Sequence, residues 1–463
     1  MSFDILREIE LRRHERADLH AAHLNAQLVR VLRTIGYDVE YVRAEGQYLY
    51  DKVGHRYLDL LSGFGVFALG RNHPTVVKAL DDVLHAGLPN LVQLDVSVLA
   101  GLLAERLLPR LAGMDNLFCC NSGAEAVEAA IKFARAATGR SGILYCEHGF
   151  HGLTYGSLSL NGDRIFREGF GPLLPECRAV PFNDLEALER ELRKGDLAAF
   201  IVEPIQGKGV NLPSDEYLRG AAALCRQHGT LFVADEIQTG VGRTGRFLAI
   251  DHWGVEPDMV LLAKALSGGF IPIGVVATKR WIFEKVFDRM DRAVVHGSTF
   301  SKNDMAMAAA LATLHVLDEE RLVERAEEIG DALRAQLATM VGRHEFVKAV
   351  RGKGMMLGIE FGAPRRLALK AAWAALEQAN KGLFCQMITI PLFKRHRILT
   401  QVAGHASHVV KLLPPLVLTE EDCDWIGRAF EDVVSDSHRV PGAIWDLGRT
   451  LAGHAMKARA GAG

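Results

Sequence analysis

A chain of 463 residues exceeds the usual domain of roughly 100–200 residues, so two or three lobes are expected around a large core. Its 54 Lys+Arg against 56 Asp+Glu leave a formal charge of -2, which excludes the basic field of a nucleic-acid binder and points to a small-molecule partner. Seven cysteines, set mostly in apolar runs without a CxxC pair, predict buried free thiols rather than a disulfide framework.

The N-terminus alternates charges with apolar residues and lacks the apolar core of a signal peptide. No run approaches the roughly 18 apolar residues of a membrane span. A cytoplasmic chain without a transmembrane segment is the expectation. Residues 1–35 read as amphipathic helix, with Leu11, Leu19, Leu24, Leu28 and Val31 set among charges, and YVRAEGQYLYDKVGHRYLDLLSG then alternates like hairpin strands.

From about residue 75, short apolar strands recur: NLFCC (116–120), GILYC (142–146), AAFIV (198–202), TLFVA (230–234) and MVLLA (259–263). Helical stretches such as SGAEAVEAAIKFARAATG and SDEYLRGAAALCRQHG lie between them. Strands alternating with helical crossovers predict an α/β fold, a mostly parallel sheet with helices on both faces. The ligand of such a sheet sits beyond the carboxyl ends of its strands.

Near residue 325 the pattern shifts to charged helices (ERAEEIGDALRAQLATM), the strand-like VKAVRGKGMMLGIEF, then VVKLLPPLVLT and a closing helix. The expected division is 1–74 and 326–463 for a small α+β domain built from both termini, and 75–325 for the large domain. The tail KARAGAG is read as disordered.

Two strand ends carry the sharpest chemistry. VADEIQTGVGRTG puts Asp235 just past one apolar strand, and LLAKALSGG puts Lys264 just past the next. Alone, either would be an ordinary solvated loop charge. Together they fit pyridoxal 5'-phosphate (PLP): a desolvated lysine amine forms an imine with an aldehyde, and a carboxylate keeps the pyridine nitrogen protonated so that the ring accepts electrons. CCNSGAEAVEAAIKFAR offers a strand, a small-residue turn and a long helix, where Ser122, Gly123 and Ala124 would cradle a phosphate. GSTF at 297–300 could add the Thr299 hydroxyl; its bland alternative is an N-cap threonine.

These segments, with GFHGLTYGSLSL, VEPIQG, ADEIQTGVGRTGRF, AKALSGG and RGKGMMLGIEF, resemble the class III aminotransferases of fold type I from about residue 45 to 425. GFGVFALGRNHP and FGPLLP look most like the putrescine and other diamine enzymes, with ornithine-type enzymes further off. The resemblance implies Lys264 as the Schiff-base lysine, Asp235 on the pyridine nitrogen and Gln238 on the ring hydroxyl. It implies Phe150 and Ile237 on the two ring faces, with His151 and Glu203 in the pocket. It also implies a homodimer with shared active sites, whose Thr299 reaches the partner's cofactor phosphate.

The chain departs from these relatives where α-amino acids are bound. Many carry an arginine before the PPL motif, whose fork grips a carboxylate; here HVVKLLPPL places Lys411 there. After VEPIQG, ornithine-type relatives carry a switching glutamate; here Lys208 follows. Both lysines are candidate substrate residues, and glutamate as donor is only the family default. LFCQMITIPLFKRHR (383–397) is either a core strand or the lining for a long substrate. On the second reading the acceptor is a terminal aldehyde on a hydrophobic body, as in amination of a hopanoid side chain or another lipid precursor.

The expected reaction is therefore amino transfer, in two half-reactions, from a primary amine or amino acid to an aldehyde or 2-oxo acid. Aminomutase, racemase or decarboxylase chemistry on the same fold is the alternative. A non-catalytic binding protein would have lost the lysine or the aspartate. No metal site is expected, because the 18 histidines show no HExxH spacing.

Overall fold

The computed structural model describes residues 3–404 and 408–460. A seven-stranded sheet forms its centre, in the order Asn116–Cys120, Gly274–Thr278, Met259–Leu262, Leu231–Asp235, Leu197–Val202, Gly142–Cys146, Cys177–Val180. All are parallel except Gly274–Thr278, which runs against both neighbours. The five inner strands are buried at every residue because both faces of the sheet are covered. Leu144, Phe200, Phe232 and Val260 enter one core; Tyr145, Ile201, Val233 and Leu261, their neighbours in sequence, enter the other.

The helix Gly123–Thr138 covers the second face with Val127, Ala130, Ile131 and Phe133. It starts where the Ser122 hydroxyl accepts from Glu125 N and stops at Gly139, φ 69°. The strands Cys177–Val180 and Gly274–Thr278 escape the sequence pattern. The first is a short, half-polar edge, and the second is masked by Pro272 and Gly274 inside one apolar run.

Two four-stranded sheets flank this body. Tyr41–Glu45, Tyr48–Asp51 and Arg56–Asp59 form the expected meander, and Ile398–Leu399 joins its edge in parallel. Val347–Lys353, Met356–Phe361, Val409–Leu412 and Gln401–Ala403 form the other, wholly antiparallel. Segments from both ends of the chain thus meet in one sheet.

Three expectations are corrected. The N-terminal helix is broken into Ile5–Arg12, Arg16–His23 and Ala26–Ile35, first by a tighter turn at Arg13–Glu15 and then where Asn25 caps a new helix by accepting from Leu28 N; Leu11, Leu24, Leu28 and Val31 are exposed, and Val29 is buried in their stead. Segment 383–397 is a helix, Leu383–His396, buried from Leu383 to Cys385 and from Met387 to Phe393. Its basic end is fixed by acids, Arg395 on Asp436 at 2.6 Å and His396 on Asp432 at 2.7 Å. The tail is helical as far as Ala460, and 461–463 lie outside the described residues. No helix among the described residues is long and apolar enough to cross a membrane.

Candidate active site

Asp235 ends its strand in register with Leu261 of the neighbouring strand, and Lys264 follows that neighbour by two residues. Both therefore reach the carboxyl edge of the sheet, where a cavity of about 750 Å³ opens. Lys264 holds φ 42°, a left-handed conformation that a side chain adopts only where the surroundings fix it. It lies at the cavity wall, where burial pushes its ammonium below its ordinary value against the opposing pull of Asp235 and Glu203. A lysine so placed is readily deprotonated and nucleophilic.

Asp235 is buried and held at both oxygens: His151 Nδ1 lies 2.6 Å from Oδ2, and Ile237 N donates to Oδ1 at 3.1 Å. Burial opposes a charge on His151, but the hydrogen bond to Asp235 and the nearby carboxylates outweigh it and raise the imidazole. Glu203 spans the floor, accepting from Phe150 N at 2.9 Å and Gly207 N at 2.7 Å; burial raises its carboxyl.

Ser122, Gly123 and Ala124 line the cavity at the N-terminus of the long helix. A Cβ on Gly123 would come 2.9 Å from Ile237 Cγ2, and one on Gly152, φ 125°, would lie 2.9 Å from Ala124 Cβ. Both glycines leave space that no other residue would. PLP fits this set. The helix end would suit a phosphate, the pinned Asp235 suits a protonated ring nitrogen, and Phe150 and Ile237 both line the same space. His151 Nε2 is buried without a hydrogen-bond partner among the described residues.

Gln238 donates from Nε2 to Phe64 O at 3.0 Å. Lys411 donates to Gly207 O and to Gln238 Oε1, both at 2.6 Å, and burial lowers its ammonium to about 7. Lys208 is paired with Asp163, and its ammonium stands 4.7 Å over the Phe166 ring. Phe166 in turn packs edge-on against Phe150, with centroids 5.6 Å apart. Thr299 lies elsewhere: it is exposed on a second groove of about 1210 Å³, and the helix that follows is capped by Asn303.

The sequence pattern missed the apolar wall. Phe64, Val66, Phe166, Ile271, Ile273 and Val402 line the cavity, brought together from two short helices, from loops and from the antiparallel sheet. The only local hint was the unbroken apolar stretch around 270–277. No residue of 383–397 and no arginine lines the cavity among the described residues.

A family model described as Aminotransferase class-III matches residues 33–434. An ornithine aminotransferase from Bacillus cereus is 38% identical over 408 residues, covering 85% of this chain and 93% of that protein. The aminotransferase PigE of a Serratia species is 35% identical over 457 residues, covering 92% of this chain; this chain spans about half, 54%, of that protein. Among solved structures, the ornithine aminotransferase of Toxoplasma gondii, seen with PLP in partial occupancy at its active site, superposes with a TM-score of 0.77 at 31% identity, covering 87% of this chain and 92% of that one.

Proposed function

The chain belongs to the class-III aminotransferases, PLP-dependent enzymes, and from that membership we propose that it aminates a terminal aldehyde carried on a hydrophobic body. The donor's C–NH2 becomes C=O as the acceptor's C=O becomes C–NH2, so no outside oxidant is needed. The observation that carries this reading is the cavity lining: Phe64, Val66, Phe166, Ile271, Ile273 and Val402, with no arginine among the described residues.

When bound, PLP supplies the aldehyde that takes up amines and the ring that accepts electrons from the carbon losing its proton. Lys264 would supply the amine that holds it and would carry the proton taken from the substrate carbon. Asp235, pinned by His151, would keep a proton on the ring nitrogen. Phe150 and Ile237 would hold the ring, Ser122–Ala124 would bind the phosphate, and the apolar wall would exclude water. The same reading makes the chain a homodimer in which exposed Thr299 reaches the partner's phosphate seat.

A series of terminal amines and aldehydes tests it. Each added methylene is expected to raise kcat/KM about fourfold until the cavity is filled; faster turnover of short polar members would overturn it. An α-amino acid donor is the second reading, suggested by relatives named ornithine aminotransferase. Lys411, a cavity residue with its third N–H uncommitted among the described residues, would hold the carboxylate. Faster turnover of ornithine than of any long-chain amine would favour it.

A further inference from the structure

Lys411 sits on the Val409–Leu412 strand, paired on both sides, and is 2% exposed. An ammonium so enclosed ordinarily faces a carboxylate, because an unpaired buried charge is costly. Among the described residues its hydrogen-bond partners are instead two neutral oxygens, Gly207 O and Gln238 Oε1.

The contact with Gln238 is directional. The Phe64 carbonyl only accepts, so the end of the amide facing it must be the nitrogen, and the end facing Lys411 is then the oxygen, to which the amine donates. The two partners agree on one orientation of the amide and leave one Nε2 proton for the cavity. Space for this grip depends on Gly207: a Cβ there would lie 2.6 Å from Gln238 Oε1.

We infer that Lys411 is a positioning residue that locks the Gln238 amide with its free N–H toward the ring oxygen of the cofactor. This rests on the reading of Gln238 as the partner of that oxygen. It gives Lys411 a task that needs no substrate carboxylate, and one that a flexible single-point donor can perform. An N–H held against the ring oxygen stabilises its ionised form, so losing it makes the neighbouring nitrogen more basic.

The test is a pH titration of the visible band of lysine-bound cofactor, in the holoenzyme without substrate. Gln238→Leu is expected to raise the midpoint by about one pH unit, the size of a charged hydrogen bond. Lys411→Met is expected to raise it similarly, because the amide, then held by Phe64 O alone, is free to swing its second N–H off the ring oxygen. Lys411→Arg, which keeps a donor toward Oε1, is expected to hold the wild-type midpoint. In the Gln238→Leu background, Lys411→Met should add nothing. If Gln238→Leu alone leaves the midpoint unmoved, the reading of Gln238 fails. If Lys411→Met still shifts it in that background, the lysine acts directly by its charge and the inference fails. Should the methionine variant not fold, Lys411→Gln, too short to reach Oε1, is read in the same cycle.

Discussion

His151 Nδ1 stands 2.6 Å from Asp235 Oδ2, and both side chains are buried. The histidine fixes one carboxylate oxygen while the Ile237 N–H fixes the other, so the carboxylate cannot rotate away from the ring nitrogen it would face. His151→Ala should lower kcat/KM by about tenfold to a hundredfold, the range of one charged hydrogen bond, with cofactor still bound. Steady-state kinetics on cofactor-saturated protein checks this, and an unchanged kcat/KM would make His151 a packing residue.

On the proposed roles, Lys264→Ala removes the nucleophile and the proton carrier together. Turnover should drop by at least about 10²–10⁴, and the visible band should vanish. Because the substitution also removes a desolvated amine, the melting temperature of the apo protein should not fall.

The tightness at Gly123 predicts a specific rescue. Gly123→Ala brings a methyl group to 2.9 Å from Ile237 Cγ2, an overpacking worth about 1–3 kcal/mol, and should weaken cofactor binding about fivefold to a hundredfold. Ile237→Ala in the same chain should restore much of it. Equilibrium dialysis of PLP against the single and double variants decides the matter.

Stability should depend on pH through Lys411. Its buried ammonium falls from the ordinary 10.5 to about 7, so between these values the unfolded chain binds a proton that the folded chain does not. Unfolding free energy from this residue therefore rises with pH across that window and is flat below it. Wild type minus Lys411→Met, followed by urea unfolding from pH 6 to 10, should climb; a level difference would place the ammonium in a solvated setting.

The helix Leu383–His396 offers a negative control for the substrate reading. Phe384 is fully buried, its ring 4.5 Å from Phe346 and 4.6 Å from Trp373. Phe384→Ala should cost about 3–5 kcal/mol of stability and leave the chain-length preference of the surviving enzyme unchanged. A shift in that preference would return this segment to the substrate path.

What the sequence disclosed followed from local rules. Asp235 and Lys264 were legible because an ionisable residue ends each of two apolar strands, and Ser122 because a small-residue turn between an apolar strand and a long helix suits a phosphate. Phe166 and Val402 were not, since an aromatic in a four-residue helix and a valine in a three-residue strand carry no pattern until the chain folds around them. The 383–397 stretch misled because it is apolar on every side. A helix wedged between other helices loses the amphipathic period that separates it from a strand.

Because Gly274–Thr278 runs against its neighbours, the chain leaving Lys264 must double back along the same edge of the sheet. That return, Ser267 and Gly269–Ile273, is itself cavity wall. Lys264 and a stretch of cavity wall are therefore encoded side by side, and a handful of codons could reshape the wall without touching the lysine. Divergence of substrate range in such a protein need not wait for changes scattered across its length; one exchangeable cassette lies between Lys264 and Gly274.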